Sequence, residues 1–231
     1  MQSAKDIFLS LVRSGIGHET EPIPNQVNWS EIRALADRQG LSAVVLDGIE
    51  RLPNENRPSK DIALPWIGEV VGNYEQRYHQ NCNAIASLAR LYNSHGIKMM
   101  VLKGYACSLD WPKPNHRPCG DIDIWLFGKY READDLVSNE KGLRVDNSHH
   151  HHTVFYWEDF MVENHYDFVN VHALRSNAEL EKVFKDLGAD ESHSVEVMGE
   201  HVYLPSLNLH ALFLIRHMVS HFAAAEITLR Q

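Results

Sequence analysis

The first 95 residues carry apolar positions at helical spacing. The segment "SAKDIFLSLVRSGIG" repeats its apolar residues with the helical period and ends at glycines. The segment "NWSEIRALADRQGLSAVVLDGIERLP" contains two such patterns, divided near Gly40. A longer pattern runs from about Leu64 to Ser94 and stops at Gly96. We therefore predict a helical N-terminal region over residues 1–95.

The pattern changes at Ile97 to short runs that are typical of strands. "IKMMVLKG" and "DIDIWLF" are mostly apolar, and "HTVFYW" and "FMVENH" form two β-rich runs joined near Glu158. The segment "READDLVSNEKG", which lies between "DIDIWLF" and "HTVFYW", predicts a surface helix. These runs predict an α+β fold with a small mixed sheet of about four or five strands between Ile97 and about Tyr203, inside a core that spans residues 96–205.

The chain becomes helical again over residues 206–231, beginning at "LPSLNLHALFLIRHMVSHF". The last letters, "ITLRQ", continue an apolar helical pattern without a cap. We therefore expect this segment to be the start of a longer C-terminal helical region.

Composition limits the classes of protein that fit this pattern. Of the 231 residues 44% are hydrophobic and 23% are charged, and the formal net charge is -9, which argues against an extended basic surface for nucleic acid. The three cysteines are scattered, which is typical of reduced thiols rather than of a disulfide framework. No apolar run reaches the length of a membrane span, so we expect a cytoplasmic protein without a membrane partner.

Two aspartates interrupt the run "RPCGDIDIWLF". In a strand, Asp121 and Asp123 point to the same face because side chains two positions apart share a face. Two adjacent carboxylates repel each other and are costly to bury, so a divalent cation is the simplest group that would neutralise them. We expect repulsion to be relieved when either one is replaced by asparagine.

The order of these motifs resembles the nucleotidyltransferase superfamily, which is built on the polymerase-β-like fold. The resemblance is to its large, poorly characterised branch with the pattern "LKG … R … DIDI … ExH". The matching stretches here are "VLKG" at 101–104, "RPCGDIDIWL" at 117–126 and "VENH" at 162–165. The resemblance covers about Ile97 to the end of the chain.

The resemblance implies a metal-dependent enzyme that moves a nucleoside monophosphate from an NTP to a hydroxyl group and releases pyrophosphate. The cofactor would be Mg²⁺ or Mn²⁺, and the acceptor a small molecule, a protein side chain or an RNA end. Its implied catalytic and metal-binding residues are Asp121, Asp123 and Glu163. The residues expected to hold the NTP are Lys103, Gly104, Ser108 and Arg117.

Several alternatives stay open at this stage. Asp167, in "HYDFVNVH", competes with Glu163 for the place of the third carboxylate. Tyr105 stands where many members of the superfamily have Gly or Ser, which favours a module that binds nucleotide without turnover; a purely structural domain is a third reading. We interpret His165 as a residue that orients Glu163.

Two other groups of histidines are candidates for a functional role. The run His149–His152 suggests a metal site, but consecutive residues of an extended chain point to opposite faces, so at most two of the four would share an ion. We interpret the run as a loop leading into a strand. His217 and His221 lie four apart on a predicted helix. We interpret them as part of a partly buried helix face, and a role near the nucleotide is the alternative.

Overall fold

The N-terminal part of the chain is helical, as its apolar spacing predicts. A computed structural model describes residues 2–223, and its first helices are α1 (Ala4–Gly15), α2 (Trp29–Gln39), α3 (Ser42–Glu50) and α4 (Lys60–Val70). The predicted long helix begins at Lys60 rather than near Leu64. It passes through a π-helical turn at Val71–Glu75 and continues as α5 (Gln76–Ser94).

The chain forms two compact units, which interleave in sequence. The first contains residues up to 79 together with 108–118, and the second contains 80–107 and 119–223. Within the first unit α1 and α3 cross closely: a Cβ atom on Gly15 would lie 2.1 Å from the carbonyl oxygen of Val44, and one on Gly48 would lie 2.1 Å from that of Leu11. Only glycine permits this approach.

The second unit contains the sheet. Its further elements are β1 (Met100–Leu102), α6 (Lys103–Ser108, whose last residue belongs to the first unit), β2 (Ile122–Trp125), α7 (Tyr130–Lys141), β3 (His152–Trp157), β4 (Phe160–His165), α8 (Arg175–Gly188), β5 (Ser194–Val197), β6 (Glu200–Tyr203) and α9 (Leu207–Ala223). The strand order is β3-β4-β2-β1-β6-β5. β2 pairs with β4, and β1 with β6, in parallel, whereas the other neighbours are antiparallel.

The predicted α+β fold with a mixed sheet is confirmed. Within the described residues the sheet has six strands instead of four or five, because β5 and β6 add a hairpin at one edge. Its turn at Met198-Gly199 has φ values of 49° and 85°, a left-handed conformation that glycine adopts readily and methionine rarely does. The sequence "MG" is not a strong hairpin signal, which is why the pattern did not reveal this turn.

The two faces of the sheet have different covers. On one face Met100, Leu102 and Trp125 pack against α8 and α9 through Phe184 and Phe213. On the opposite face α7 contacts the strands through Asp134 Oδ1, which accepts hydrogen bonds from Asn164 Nδ2 (2.9 Å) and Thr153 Oγ1 (3.0 Å). The face that packs against α9 is the one that carries the candidate chemistry.

The division of the chain into 1–95, 96–205 and 206–231 stays a prediction. The segment "ITLRQ", on which the expected continuation of the last helix depends, lies outside the described residues. None of the helices in residues 2–223 combines the length and the apolar character that a membrane span needs.

Candidate active site

Strand register brings the acidic residues of β2 and β4 together. In the parallel pairing Asp123 is the partner of Glu163, and Trp125 is the partner of His165. In the antiparallel pairing of β3 with β4, His152 is the partner of His165. Because side chains alternate along each strand, these polar residues share the face that packs against α9. Two distant segments of the sequence therefore supply one cluster.

Lys103 brings a positive charge into this cluster. It follows β1 directly, and its backbone has a φ of 40°, a left-handed conformation that costs a non-glycine residue about 1–3 kcal/mol. Its ammonium group contacts Asp123 Oδ1 and lies 3.7 Å from Glu163 Oε2. The side chain is buried. Next to it, a Cβ atom on Gly104 would lie 3.5 Å from the carbonyl oxygen of Asp121.

His165 is the second cation partner of the same carboxylates. Its Nε2 atom is 3.0 Å from Asp123 Oδ1 and 3.6 Å from Glu163 Oε2. The ring packs edge-on against Phe213, with 5.9 Å between centroids. His165 therefore orients both carboxylates, which extends the predicted role beside Glu163.

The pKa values of these groups follow from burial and from mutual attraction. Burial alone would raise the pKa of Asp123, but the charges of Lys103 and His165 outweigh it and hold that pKa well below its usual range. Burial alone would lower the pKa of Lys103 and of His165, and the neighbouring carboxylates raise both. The charged forms of all three groups are thus stabilised together.

The remaining two carboxyl groups behave differently from each other. Burial raises the pKa of Glu163, but the attraction of His165 and the charge of Lys103 together outweigh burial and the net shift is downward. For Asp121 burial raises the pKa, and repulsion from Asp123 raises it further. Asp121 is therefore the carboxylate of this cluster whose charge is least compensated.

One carboxylate atom in the cluster lacks a partner. Asp123 is 1% exposed, and among the described residues its Oδ2 atom is a buried acceptor without a hydrogen-bond donor. Asp123, Glu163 and His165 each offer one ligand atom, and these three atoms lie within 4.8 Å of one another. Buried carboxylate oxygens without donors are suitable ligands for Mg²⁺ or Mn²⁺, so the residues present fit such an ion.

The structure does not bring all the predicted site residues into this group. Asp121 is half-buried and is not one of the three residues with converging ligand atoms, although its pKa responds to Asp123. Ser108 and Arg117 belong to the first unit, where Ser108 is fully buried and Arg117 lies 6.0 Å from the centroid of the Trp111 ring. Their part in nucleotide binding stays a prediction.

The structure separates the two candidates for the third carboxylate. Glu163 lies opposite Asp123 in the register, whereas the carboxylate of Asp167 pairs with Lys185 on α8. Glu181, also on α8, accepts hydrogen bonds from the backbone N–H groups of Phe168 and Val169, which fixes the chain just after β4. The arrangement favours Glu163.

A second cluster adjoins the carboxylates. His151, His152 and His165 each offer one ring nitrogen, and these atoms lie within 4.8 Å of one another. Burial lowers the pKa of His151 and of His152 to about 4. Alternation along a strand would have separated the two consecutive histidines, but His151 lies in a bend before β3 begins. The bend agrees with the interpretation of this run as a loop leading into a strand.

The other histidine pair lies on α9. The rings of His217 and His221 are 4.3 Å apart, and burial, with the charge of Lys103 next, lowers the pKa of His217 to about 4. His217 is therefore influenced by the charges of the carboxylate cluster, on a helix face that is partly buried as the sequence predicts.

Comparison with known proteins bears on what this site does. Residues 25–231 match a protein-family model described as "Uncharacterised nucleotidyltransferase". The chain belongs to this family. The match extends well before Ile97, where the sequence resemblance was expected to begin, and so includes most of the helical region. Neither the curated proteins nor the solved structures yielded a match. Membership of this family indicates a transferase of nucleotidyl groups, and the carboxylate cluster is the candidate place for that chemistry.

Proposed function

We propose that the protein transfers a nucleoside monophosphate from an NTP to a hydroxyl group in a reaction that depends on Mg²⁺ or Mn²⁺. The acceptor oxygen forms a bond to the α-phosphorus, and the bond between that phosphorus and the bridging oxygen breaks. Pyrophosphate leaves with the bonding electron pair, and the hydroxyl proton passes to water. The acceptor would be a small molecule, a protein side chain or an RNA end.

The observation that carries the proposal is the pairing of Asp123 with Glu163 around a carboxylate oxygen that has no donor. Asp121, Asp123 and Glu163 would hold the metal ions, which supply charge stabilisation at the attacking and leaving oxygens when they are bound. A structural ion pair would be expected to satisfy all its buried oxygens instead. The family match supports nucleotidyl transfer as the reaction.

The other residues of the cluster would act by position and charge. His165 donates to Asp123 and so fixes the direction of its carboxylate. Lys103 neutralises the carboxylates, and its ammonium group is a suitable partner for a phosphate oxygen. Gly104 keeps the backbone beside Asp121 free of a side chain. These three residues would therefore bind or orient the reacting groups.

The test uses NTPs labelled at the α-phosphate, with Mg²⁺ or Mn²⁺ and a panel of hydroxyl acceptors, and follows label transfer and pyrophosphate release. Asp123→Asn and Glu163→Gln keep side-chain size but remove a charge from the site. Loss of a catalytic metal ligand removes several kcal/mol of transition-state stabilisation, so we expect turnover to fall about a thousandfold or more.

Asp134→Asn is the matched control. Asp134 touches the same strands from the opposite face, through Asn164 and Thr153, and we expect it to keep transfer activity within a few-fold. Equal activity in wild type and in Asp123→Asn would refute the proposal. Metal-dependent NTP binding that is lost in Asp123→Asn, with no transfer to any acceptor, would instead support a nucleotide-binding module without turnover.

A further inference from the structure

Two histidines beside the carboxylates, His151 and His152, have no role in the proposed reaction, and His165 lies next to them. His151, His152 and His165 offer three ring nitrogens within 4.8 Å of one another. We propose that they form a binding site for a borderline transition-metal ion, Zn²⁺ by preference, distinct from the carboxylate site for Mg²⁺ or Mn²⁺.

The backbone holds these rings in place. Tyr166 and Asp167 both donate their backbone N–H groups to the carbonyl oxygen of His151, at 3.1 Å each. His152 is paired with His165 across β3 and β4. The ring centroid of His151 is 4.3 Å from that of His152 and 5.8 Å from that of His165. The ring centroids of His152 and His165 are 5.3 Å apart. The three side chains are therefore brought together before any ion binds.

The rings also leave nitrogen atoms without partners. In the described part of the chain, the Nδ1 atoms of His151 and His152 are buried and have no hydrogen-bond partner. His152 is only 7% exposed, so bulk water does not compensate for the missing bond. An unsatisfied buried polar atom costs about 1–3 kcal/mol, and coordination to a metal ion would remove that cost.

The chemistry of the ligands selects the ion. Imidazole nitrogen favours Zn²⁺, Co²⁺ and Ni²⁺, whereas Mg²⁺ takes oxygen ligands almost exclusively. Three protein ligands leave one position of a tetrahedral Zn²⁺ open for water. The carboxylate cluster and the histidine cluster are therefore matched to different ions, although His165 belongs to both.

The primary experiment titrates the full chain with Co²⁺, whose visible absorption reports tetrahedral coordination, and then displaces it with Zn²⁺. We expect one Co²⁺ per chain, and at least a tenfold loss of affinity in His151→Gln and in His152→Gln. His150→Gln is the matched control because His150 belongs to the same run but is exposed, and it should bind as wild type does.

Three outcomes would overturn the proposal. Absence of Co²⁺ binding to the folded wild-type chain would do so directly. An equal loss of affinity in His150→Gln would show that the ion binds the exposed run. Loss in Glu163→Gln but not in His151→Gln would place the ion among the carboxylates. Circular dichroism of each variant establishes that it is folded.

The shared His165 gives a second measurement, which rests on the proposed carboxylate metal site. A dication in the histidine site and one in the carboxylate site would repel each other. We therefore expect saturating Zn²⁺ to weaken Mn²⁺ binding, and Mn²⁺ to weaken Zn²⁺ binding by the same factor. Mn²⁺ binding that is unaffected by Zn²⁺ would contradict the shared ligand. Failure of Mn²⁺ to bind at all would count against the proposed function while the Co²⁺ titration still decides the histidine site.

Discussion

Two buried aspartates, one in each unit, each face one lysine and one histidine. In the first unit Lys113 contacts Asp47 Oδ1 and His116 Nδ1 lies 2.7 Å from Asp47 Oδ2, so both carboxylate oxygens have a partner. In the second unit Lys103 and His165 both contact Oδ1 of Asp123. Within residues 2–223, Oδ2 of Asp123 has no donor. The same three residue types therefore build a satisfied ion cluster in one unit and an incomplete one in the other.

The difference lies in the elements that carry the charges. Asp47 is on α3, and the ring of His116 also reaches Glu75 Oε1 at 3.0 Å, so carboxylates bind both nitrogens of this ring. Asp123 and Glu163 are instead fixed side by side by strand register, and both depend on the same cations. A cluster in which every polar atom has a hydrogen-bond partner stabilises the fold. A cluster with one buried acceptor atom that has no donor is suited to binding a ligand.

The largest expected contrast is in stability. Asp47→Ala removes the carboxylate that His116 and Lys113 share and leaves Nδ1 of the buried His116 ring without its acceptor, which typically costs about 1–3 kcal/mol. Glu163→Ala leaves Asp123 in place for Lys103 and His165, so we expect a loss of about 1 kcal/mol or less. Urea denaturation measures both free energies of unfolding. Similar losses in the two variants would remove the distinction between the clusters.

This comparison also revises an expectation from the sequence. From alternation alone, replacing Asp123 by asparagine should relieve repulsion, but Lys103 and His165 already compensate that charge. That Asp121 and Asp123 share a face stays a prediction, because β2 begins at Ile122 and alternation does not extend to Asp121. The motif order suggested Glu163. The sequence predicts Lys103 as a partner of the NTP but not its direct ion pair with Asp123, because that pair depends on a left-handed backbone at a residue other than glycine.

The second expected effect is that the stability contributed by the Asp47 cluster depends on pH. Burial alone would lower the pKa of His116, but Asp47 and Glu75 outweigh it, so the folded pKa lies above the ordinary histidine value of about 6.5. A raised pKa means that the stabilisation is complete below pH 6.5 and is lost as pH rises through the folded pKa. We expect the difference in unfolding free energy between wild type and His116→Gln to shrink as pH rises through the folded pKa of His116.

Urea denaturation measures this difference when both proteins are unfolded at a series of pH values from about 5.5 to about 9. His201→Gln, on the exposed side of β6, serves as the control. A difference that grows with pH would mean that His116 is neutral in the folded protein at every pH tested.

The smallest expected effect concerns Lys103. Its ammonium group occupies the space beside Asp123 and Glu163 that a divalent ion would share, so Lys103→Met should tighten Mn²⁺ binding about tenfold in the absence of nucleotide. The same change should weaken NTP binding, because it removes a partner of the phosphates. Mn²⁺ titration followed by electron paramagnetic resonance, with Lys185→Met as a control, tests both directions. Weaker Mn²⁺ binding in Lys103→Met would contradict the competition.

The parallel pairing of β2 with β4 also has a consequence for synthesis of the chain. His165 and Asp123 are 42 positions apart, so at a ribosomal rate of roughly 5–20 residues per second Asp123 is made about 2 to 8 seconds before His165. β1 and β2 are antiparallel neighbours and are both made by then, so Lys103 can pair with Asp123 during that interval. The contact of Lys103 with Asp123 thus requires only strands that are made before β4, whereas the contact of His165 requires the later strand.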